Sequence, residues 1–568
     1  MNRIVILSLV ITLISGCSGK NTTGDKGLTS GRTITTGNGM VVSAHFQASL
    51  TGARILRDGG NAVDAAVATG FALAVCYPAA GNIGGGGFML IRTAVGRYDL
   101  IDYREKAPGK ASGDMYLDSA GNVISDLSTD THLAAGVPGA VDGLLKVHEK
   151  YGHLPFKKVI QPAIELAENG FILTGEQARS LNSNEVTFRL RNPDGCAFFR
   201  DKDWKEGDTL RQPELARTLE RIRDHGRDGF YGGKTAEMII GEMKRGNGII
   251  TRADLENYHS VFRTPISRQY RNYNIITCPP PSAGGIILLQ LLGMTESKAL
   301  SDMGFHSAPM VHLVAEAERR AFADRSVYAG DIDFVKVPVA GLTGKNYLQE
   351  RMKDFCDSAA SPSSSMGAGP AWQYESTETT HYSVVDSEGN AVATTTTLNG
   401  SYGSSIVVAG AGFLLNNEMD DFSVRPGFPN MYGLTGSEAN AIEPGKRMLS
   451  SMTPVIVEKE GKLFLVAGSP GGSTIPTTVF QVIINVTDYN MNIWQAVDTG
   501  RFHHQWLPDR ISYEPGSIDS ASLSVLMRMG HQTRVTPSLG RVNAIGVRID
   551  GTLDGAADRR GDNSACGY

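Results

Sequence analysis

Several things are scarce in this chain, and each scarcity removes a class of function. There is no long basic run, and 54 Lys and Arg stand against 59 Asp and Glu for a net charge of -5. That balance argues against nucleic acid as the main partner. Only six cysteines occur among 568 residues, at wide and irregular spacings that fit no zinc motif. No complete phosphate-binding loop is present. Gly232-Gly233-Lys234-Thr235 comes close, but Asp228 stands where the motif needs its first Gly. No period of the solenoid kind recurs. What remains is an ordinary globular composition, 41% apolar and 20% charged, with 66 glycines that suit tight turns and close backbone approaches. Length alone favours about three to four domains.

The N-terminus reads as an address rather than as fold. Arg3 precedes an apolar stretch, Ile4 to Ile14, that is too short to span a bilayer. It ends in Leu13-Ile14-Ser15-Gly16-Cys17, small residues before a cysteine, like a bacterial lipobox. Residues 1–16 are therefore expected to be a lipoprotein signal, with Cys17 the lipidated first residue. Residues 17–31 are expected to be a polar, flexible tether. A lipid chain would hold the protein on a membrane without a spanning helix. The plainer alternative is an export signal with an incidental Cys. The other five cysteines are an odd number, so at least one thiol is free or bonded to another molecule.

Patterning divides the rest. Met40 to Ala44 reads as a strand, Gln47 to Asp58 and Ala62 to Val75 as helices, and Phe88 to Arg92 as a strand after four glycines. The stretch from Pro138 to Asp357 reads as mostly helical, most clearly over Val311 to Val327. Residues 358–378 open on a stretch rich in Ser, Ala, Gly and Pro and are expected to be mobile. After that the period changes. Tyr382 to Val385 and Ala391 to Thr397 form an expected hairpin, and Pro454 to Val457 with Lys462 to Val466 a second.

The boundary carries chemistry. Glu378-Thr379-Thr380-His381 places two threonines against the first of these strands. If the bond between Glu378 and Thr379 is broken, Thr379 holds both a hydroxyl and a free α-amine. An α-amine titrates near 7.7–8.0 and can take the hydroxyl proton. One residue is then nucleophile and base together. Acyl transfer also needs backbone N–H donors for an oxyanion. Gly468-Ser469-Pro470-Gly471-Gly472 follows an expected strand, and Gly471 and Gly472 have no side chains to block such a site.

At these residues the sequence resembles the γ-glutamyltransferase (glutathione hydrolase) family of N-terminal-nucleophile hydrolases, from about Gly31 onward. Thr379-Thr380-His381-Tyr382-Ser383 is similar to the family's small-subunit start. The resemblance implies a large subunit, 32–378, and a small catalytic subunit, 379–568, paired as a heterodimer. It implies an α+β fold, a four-layer αββα sandwich to which both subunits give strands. Arg104, in Asp102-Tyr103-Arg104-Glu105, would bind a substrate α-carboxylate. Thr397 would bond the nucleophile, and Asn399 would bind substrate. Glu418 and Asp421 would hold the α-ammonium, Ser450 and Ser451 would contact the α-carboxylate, and Gly471 and Gly472 would form the oxyanion pair. Tyr432 would be a lid. His381 is given no catalytic role and reads as structural.

The resemblance implies removal of a γ-glutamyl group from glutathione or related compounds, and its passage to water, amino acids or dipeptides. No metal or organic cofactor is implied. Localisation is expected to be the bacterial periplasm or cell envelope, on a lipid anchor. Two readings compete: a glutaryl-cephalosporin acylase or poly-γ-glutamate hydrolase of the same fold, and a lipoprotein that binds peptides without turnover.

Overall fold

The computed structural model describes residues 27–369, 380–425, 427–435 and 438–568. Cys17, Glu378 and Thr379 lie outside the described residues.

The helix Ala62–Cys76 shows how the sequence builds this molecule. All of its residues are buried. Its small apolar side chains let neighbours approach from every side, which is the signature of a core helix. Asp64 is its one charge and serves the N-terminus. It accepts from Asn61 N at 3.0 Å while the Asn61 side chain accepts from Asp64 N at 3.0 Å, a reciprocal cap. The preceding helix, Phe46–Arg57, packs closely against it.

Two antiparallel sheets form the centre. The first runs Thr29–Gly31, Ser564–Gly567, Met40–Ser43, Thr380–Val385, Ala391–Thr397, Gly86–Arg92, Tyr98–Asp102, Val261–Arg263. The second runs Thr33–Thr36, Leu553–Ala557, Asn543–Val547, Lys462–Gly468, Val455–Lys459, Tyr273–Thr277, Ile266–Tyr270. Alternation decides which face each residue takes. Val41, Met89, Ile91 and Val392 face helices, whereas Met40, Val42, Phe88, Leu90 and Ala393 meet Ile276, Ile456, Val466 and Ile545 of the other sheet. The outer face of the second sheet, with Ile275, Val455 and Leu465, packs on Gly284–Thr295, Ala308–Tyr328 and Ile475–Thr487. The order is helix, sheet, sheet, helix, the expected four-layer α+β sandwich. Burial of each large apolar side chain contributes about 1.5–3 kcal/mol.

Three sequence expectations change. Thr29–Gly31 is not tether but an edge strand, paired antiparallel with Ser564–Gly567, because it supplies backbone groups to an otherwise open edge. Residues 358–369 are packed: Trp506 Nε1 donates to Ser363 O and Met366 O at 3.0 and 2.8 Å, and Arg319 bonds the Ser363 hydroxyl. The mostly helical middle holds Val261–Arg263, Ile266–Tyr270 and Tyr273–Thr277; the first two are sheet edges and the third joins Ile266–Tyr270 to Val455–Lys459. Their polar, mixed sequences hide a period that only partner strands reveal. The described cysteines, Cys76, Cys196, Cys278, Cys356 and Cys566, are all unbridged thiols. None of the described helices is long and apolar enough to cross a membrane.

Candidate active site

Strand ends gather the chemistry along one edge of the sandwich. In the first sheet these ends are Ser564, Ser43, Thr380, Thr397, Gly86 and Asp102, in spatial order. In the second they are Ala557, Asn543, Gly468, Val455 and Thr277. His381 joins the two sheets here. Its ring fills the space over Gly468, where an added Cβ would lie 2.4 Å from the ring. Asn543 Nδ2 donates to His381 O at 2.7 Å. The imidazole bonds Thr395 Oγ1 at 2.9 Å and Ser383 Oγ at 3.0 Å. Burial pushes it down to about 3, so it is neutral at physiological pH. Both nitrogens are occupied, which makes His381 a clamp and not a base.

Arg104 occupies one corner, just past Asp102. Its guanidinium is fully buried. Nη1 pairs with Glu418 Oε2 at 2.6 Å and donates to Glu105 Oε2 at 3.3 Å. Nη2 donates to Asp421 Oδ2 at 2.5 Å and Leu449 O at 2.9 Å, and Nε to Met448 O at 3.2 Å. Burial alone would favour loss of its proton, but Glu418, Glu105 and Asp421 outweigh it and keep Arg104 charged. Burial, and then repulsion from Glu418, drives Glu105 well above the usual carboxylate range. Burial also raises Glu418, against the attraction of Arg104. The corner thus packs three carboxyl groups around one cation, and a second positive group placed there would favour their charged forms.

Ser450 and Ser451 border the same corner. Ser282 cradles them: its Oγ donates to Ser450 O at 3.2 Å and Met452 O at 2.7 Å, and Ala283 N donates to Ser450 O at 2.7 Å. Ser450 Oγ accepts from Met452 N at 3.1 Å. Ser451 Oγ is buried with no hydrogen-bond partner. A buried unpaired hydroxyl costs about 1–3 kcal/mol, so it is a group waiting for one.

The turn after Ala391–Thr397 is held from within. Asn399 N donates to Thr397 Oγ1 at 2.7 Å, and Asn399 Nδ2 donates to Asn417 O at 2.9 Å. Asn399 Oδ1 is buried and unpartnered, as is Thr380 Oγ1. Asn399 has φ 74°, a left-handed conformation that Asn tolerates better than most residues. Asn417 N closes the loop onto Leu398 O at 3.0 Å. Gly85 explains the glycine run beneath: a Cβ there would lie 2.0 Å from Thr397 O.

Gly471 and Gly472 follow Lys462–Gly468 and lead into Ile475–Thr487. Gly471 has φ 135° and Gly472 φ 59°, values that side chains oppose. N–H groups at a helix start have no acceptor within the helix, so this turn is equipped to bind an oxyanion. Tyr432 lies over the Asn399 turn, its OH donating to Asn399 O at 3.4 Å. Asp420 ties this loop down. It accepts from Ser128 Oγ at 2.7 Å and from Met431 N at 3.1 Å.

Arg104, Glu418, Asp421, Ser450 and Ser451 therefore meet in one corner. Thr397 ends the strand beside Thr380 and leads into the Asn399 turn that Tyr432 bonds, and Gly471 and Gly472 follow Gly468, which packs on the His381 ring. The sequence reading assigned no role to Glu105, Ser282 or Asp420. Ser282 acts through backbone carbonyls far away in the chain and Asp420 through the distant Ser128 hydroxyl, which no local pattern signals, while Glu105 stands beside Arg104 in the sequence. Among the described residues one group has the makings of a metal site, His312, Glu316 and His531. His312 Nδ1 and His531 Nε2 bond each other at 2.7 Å, and Glu316 pairs with Arg319 and Arg320 at 3.2 and 2.6 Å, so these ligand atoms serve the fold.

Comparison with known proteins agrees with this architecture. The family model "Gamma-glutamyltranspeptidase" matches residues 48–568. The chain is 49% identical over 533 residues to the glutathione hydrolase proenzyme of Escherichia coli (strain K12), covering 93% of this chain and 92% of that protein. It is 38% identical over 536 residues to the Acylase ACY 1 proenzyme of Pseudomonas sp. (strain SE83), covering 93% of each. Among solved structures, cephalosporin acylase from Bacillus halodurans superposes with a TM-score of 0.83 at 26% identity, over 94% of this chain and 97% of that one. Helicobacter pylori gamma-glutamyltranspeptidase does so with a TM-score of 0.57 at 46% identity, over 58% of this chain and 94% of that one. This chain belongs to the gamma-glutamyltranspeptidase family.

Proposed function

We propose that the chain is a self-cleaving γ-glutamyl hydrolase and transferase, with glutathione and related γ-glutamyl compounds as donors. The observation that carries this is the Arg104 corner, where one guanidinium, three carboxylates and the unpartnered Ser451 hydroxyl lie along the edge that leads to Thr380. A glutamyl α-carbon bears one carboxylate and one ammonium: the carboxylate would replace Glu418 or Asp421 on the Arg104 fork and meet the Ser451 hydroxyl, while the displaced acid turns to the ammonium.

The reaction has two stages. First, Thr379 Oγ attacks the Glu378 carbonyl. The peptide C–N bond breaks, an ester forms, and water opens it to leave Thr379 with a free amine. The chain becomes a large subunit ending at Glu378 and a small subunit starting at Thr379. Second, the Thr379 amine takes the hydroxyl proton as Oγ attacks the donor's γ-amide. Thr397 Oγ orients the nucleophile, and the N–H groups of Gly471 and Gly472 hold the oxyanion. The amine returns its proton to the leaving nitrogen, and a γ-glutamyl ester remains. Water, an amino acid or a dipeptide then takes the acyl group. Arg104, Ser450 and Ser451 hold the α-carboxylate, Glu418 and Asp421 the α-ammonium, and Asn399 the substrate's flank, while Tyr432 closes the pocket. Residues 1–16 direct export, and a lipid on Cys17 anchors the enzyme in the cell envelope.

The test is the intact mass of the purified chain, made without its signal, and of Thr379→Ala. Wild type should yield two fragments, the smaller beginning at Thr379. Thr379→Ala should stay whole and lose activity by about 10⁴-fold or more. A cleaved, active Thr379→Ala protein would sink the proposal.

An acylase reading draws on the Acylase ACY 1 and cephalosporin acylase similarities. A glutaryl group lacks the α-ammonium, which would leave Glu418 and Asp421 without the partner they suit. The γ-glutamyl anilide should therefore be turned over faster than the glutaryl anilide, and the reverse order would favour the acylase.

A further inference from the structure

The proposed reaction asks two loops to act together. The Tyr432 loop must cover the donor, and the Gly471-Gly472 turn must present its N–H groups as charge develops. One side chain touches both. Gln505 stands 73 residues from Tyr432 and 32 from Ser473, and it is bonded to each.

Four hydrogen bonds orient this amide. Nε2 donates to Leu507 O at 3.1 Å and to Tyr432 O at 3.4 Å. Oε1 meets Ser473 Oγ at 2.8 Å and the His503 ring at 3.0 Å. Carbonyls only accept, so the amide nitrogen must face Leu507 O and Tyr432 O. Oε1 is then the acceptor, and Ser473 Oγ and His503 Nε2 both donate to it. Burial pushes His503 down to about 4, so the ring is neutral at physiological pH and its one proton sits on Nε2. Its Nδ1 is left to accept from Thr477 Oγ1 at 2.9 Å. Thr477 lies in the first turn of Ile475–Thr487, the helix that the oxyanion turn opens, and Ser473 directly follows Gly472. The bonds therefore run in one direction, from that turn and helix through Gln505 to the Tyr432 carbonyl.

The two ends of this chain are not held alike. Gln481 Nε2 donates to Phe502 O at 2.6 Å, and Phe502 N donates to Gln481 Oε1 at 3.2 Å. His504 N donates to the buried Glu318 Oε2 at 2.7 Å. Residues 502–504 are thus fastened to Ile475–Thr487 and to Ala308–Tyr328, and Gln505 stands on that base. Within the turn, Thr474 N and Oγ1 donate to Gly471 O at 3.1 and 2.7 Å, and the Ser473 bond to Gln505 secures the residue between Gly472 and Thr474. The bond to Tyr432 O is the longest of the four, so the turn is the fixed end and the Tyr432 loop the loose one.

We propose that Gln505 is a positioning residue that couples the Tyr432 lid to the oxyanion turn, so that a seated lid and a correctly aimed turn are one state. This rests on the acyl-transfer reading above. Gln505 takes no part in the bond changes. It acts through the Tyr432 carbonyl on one side and the Ser473 hydroxyl on the other. When the lid is seated, Tyr432 O holds the amide nitrogen and the amide oxygen holds Ser473. When the lid leaves, the amide loses a partner and the turn loses its brace.

The test is steady-state hydrolysis of a γ-glutamyl anilide by the mature enzyme from pH 5.5 to 8.5, each variant divided by wild type at the same pH. Gln505→Glu changes its bonding with pH. As an acid it keeps an acceptor for Ser473 and a donor for one carbonyl. As a carboxylate it has no donor and sets a negative charge against Tyr432 O. Its kcat/KM relative to wild type should fall at least tenfold across that range, with KM rising and kcat falling. Ser473→Ala removes the other end of the link and should also act on both constants, lowering kcat three- to tenfold and raising KM at least threefold. A flat pH ratio for Gln505→Glu, or a Ser473→Ala enzyme with lowered kcat and unchanged KM, would overturn the coupling. Should Gln505→Glu fail to fold, the KM of Ser473→Ala decides alone. A mature wild-type enzyme that leaves the anilide intact would overturn the acyl-transfer reading instead, and the role of Gln505 with it.

Discussion

Two arginines of this chain are built in opposite ways. Arg104 is fully buried, and its guanidinium meets Glu105, Glu418, Asp421 and two backbone carbonyls. Arg541 is partly exposed at a cavity wall, with Glu176 4.0 Å away. A buried ion cluster fixes geometry, because moving any member strands a charge in a medium of low dielectric. A half-exposed guanidinium is screened and can follow its ligand. The difference teaches what burial does to an arginine: Arg104 holds one fixed set of partners, whereas Arg541 can change partners without disturbing the fold.

The sharpest way to break this comparison is Arg104→Lys. Lysine keeps the charge but loses the planar fork that reaches three carboxylates and two carbonyls at once. The expected loss is about 10²–10³-fold in kcat/KM for a γ-glutamyl donor, about 3–4 kcal/mol. A loss under tenfold in steady-state kinetics would show that the corner tolerates loose reading, and the contrast with Arg541 would collapse.

Gly468→Ala probes the rigid ground between the two sheets. The new Cβ would lie 2.4 Å from the His381 ring, and neither sheet can move without the other. Overpacking of this kind costs about 1–3 kcal/mol. The midpoint of denaturant unfolding should fall accordingly, and an unchanged midpoint would mean that His381 does not clamp the sheets.

The same clamp has a pH signature. His381 is pushed from its ordinary value to about 3 by burial. A depressed histidine stays neutral in the folded protein while the unfolded chain takes up the proton. Its contribution is thus fully present above pH 6.5 and is lost as pH falls from there toward 3, by up to about 1.4 kcal/mol per unit. Unfolding free energies at pH 7, 6 and 5 should decline in that order. In His381→Gln the decline should be shallower, and equal slopes in the two proteins would remove His381 from this role.

The smallest effect tests the lid. Asp420 is buried, which raises it, although its bond from Ser128 pulls the other way. Asp420→Asn weakens the tie to Met431 N by about 1 kcal/mol. KM for the donor should rise about three- to tenfold more than kcat changes. An equal fall in kcat with constant KM would place Asp420 in the chemical step and not in lid closure.

Local patterns made much of this legible. The helix Ala62–Cys76 and the hairpin of Thr380–Val385 with Ala391–Thr397 follow from spacing of apolar residues, and their bounds differ from expectation by a residue or two. The strands Ile266–Tyr270 and Tyr273–Thr277 were not legible, because Ser267, Arg268, Gln269 and Asn274 interrupt any clean alternation. Pairing makes them strands: Tyr273–Thr277 pairs with Val455–Lys459, and Ile266–Tyr270 pairs with Tyr273–Thr277 to form the sheet edge. Residues 358–369 looked unable to order themselves, and alone they could not. Trp506 and Arg319, distant in sequence, supply the bonds that hold them.

By itself, the sequence determined the parts: a threonine at a boundary, a glycine pair after a strand, and acids and serines in short motifs, each set by residue chemistry at short range. It could not determine that Arg104, Asp421 and Ser451 share one corner while Arg541 and Asp562 line a separate cavity. The first set spans 317 residues and more; both depend on strand order, and strand order follows from how two sheets bury their faces against each other. Only that packing decided which polar groups would be brought together.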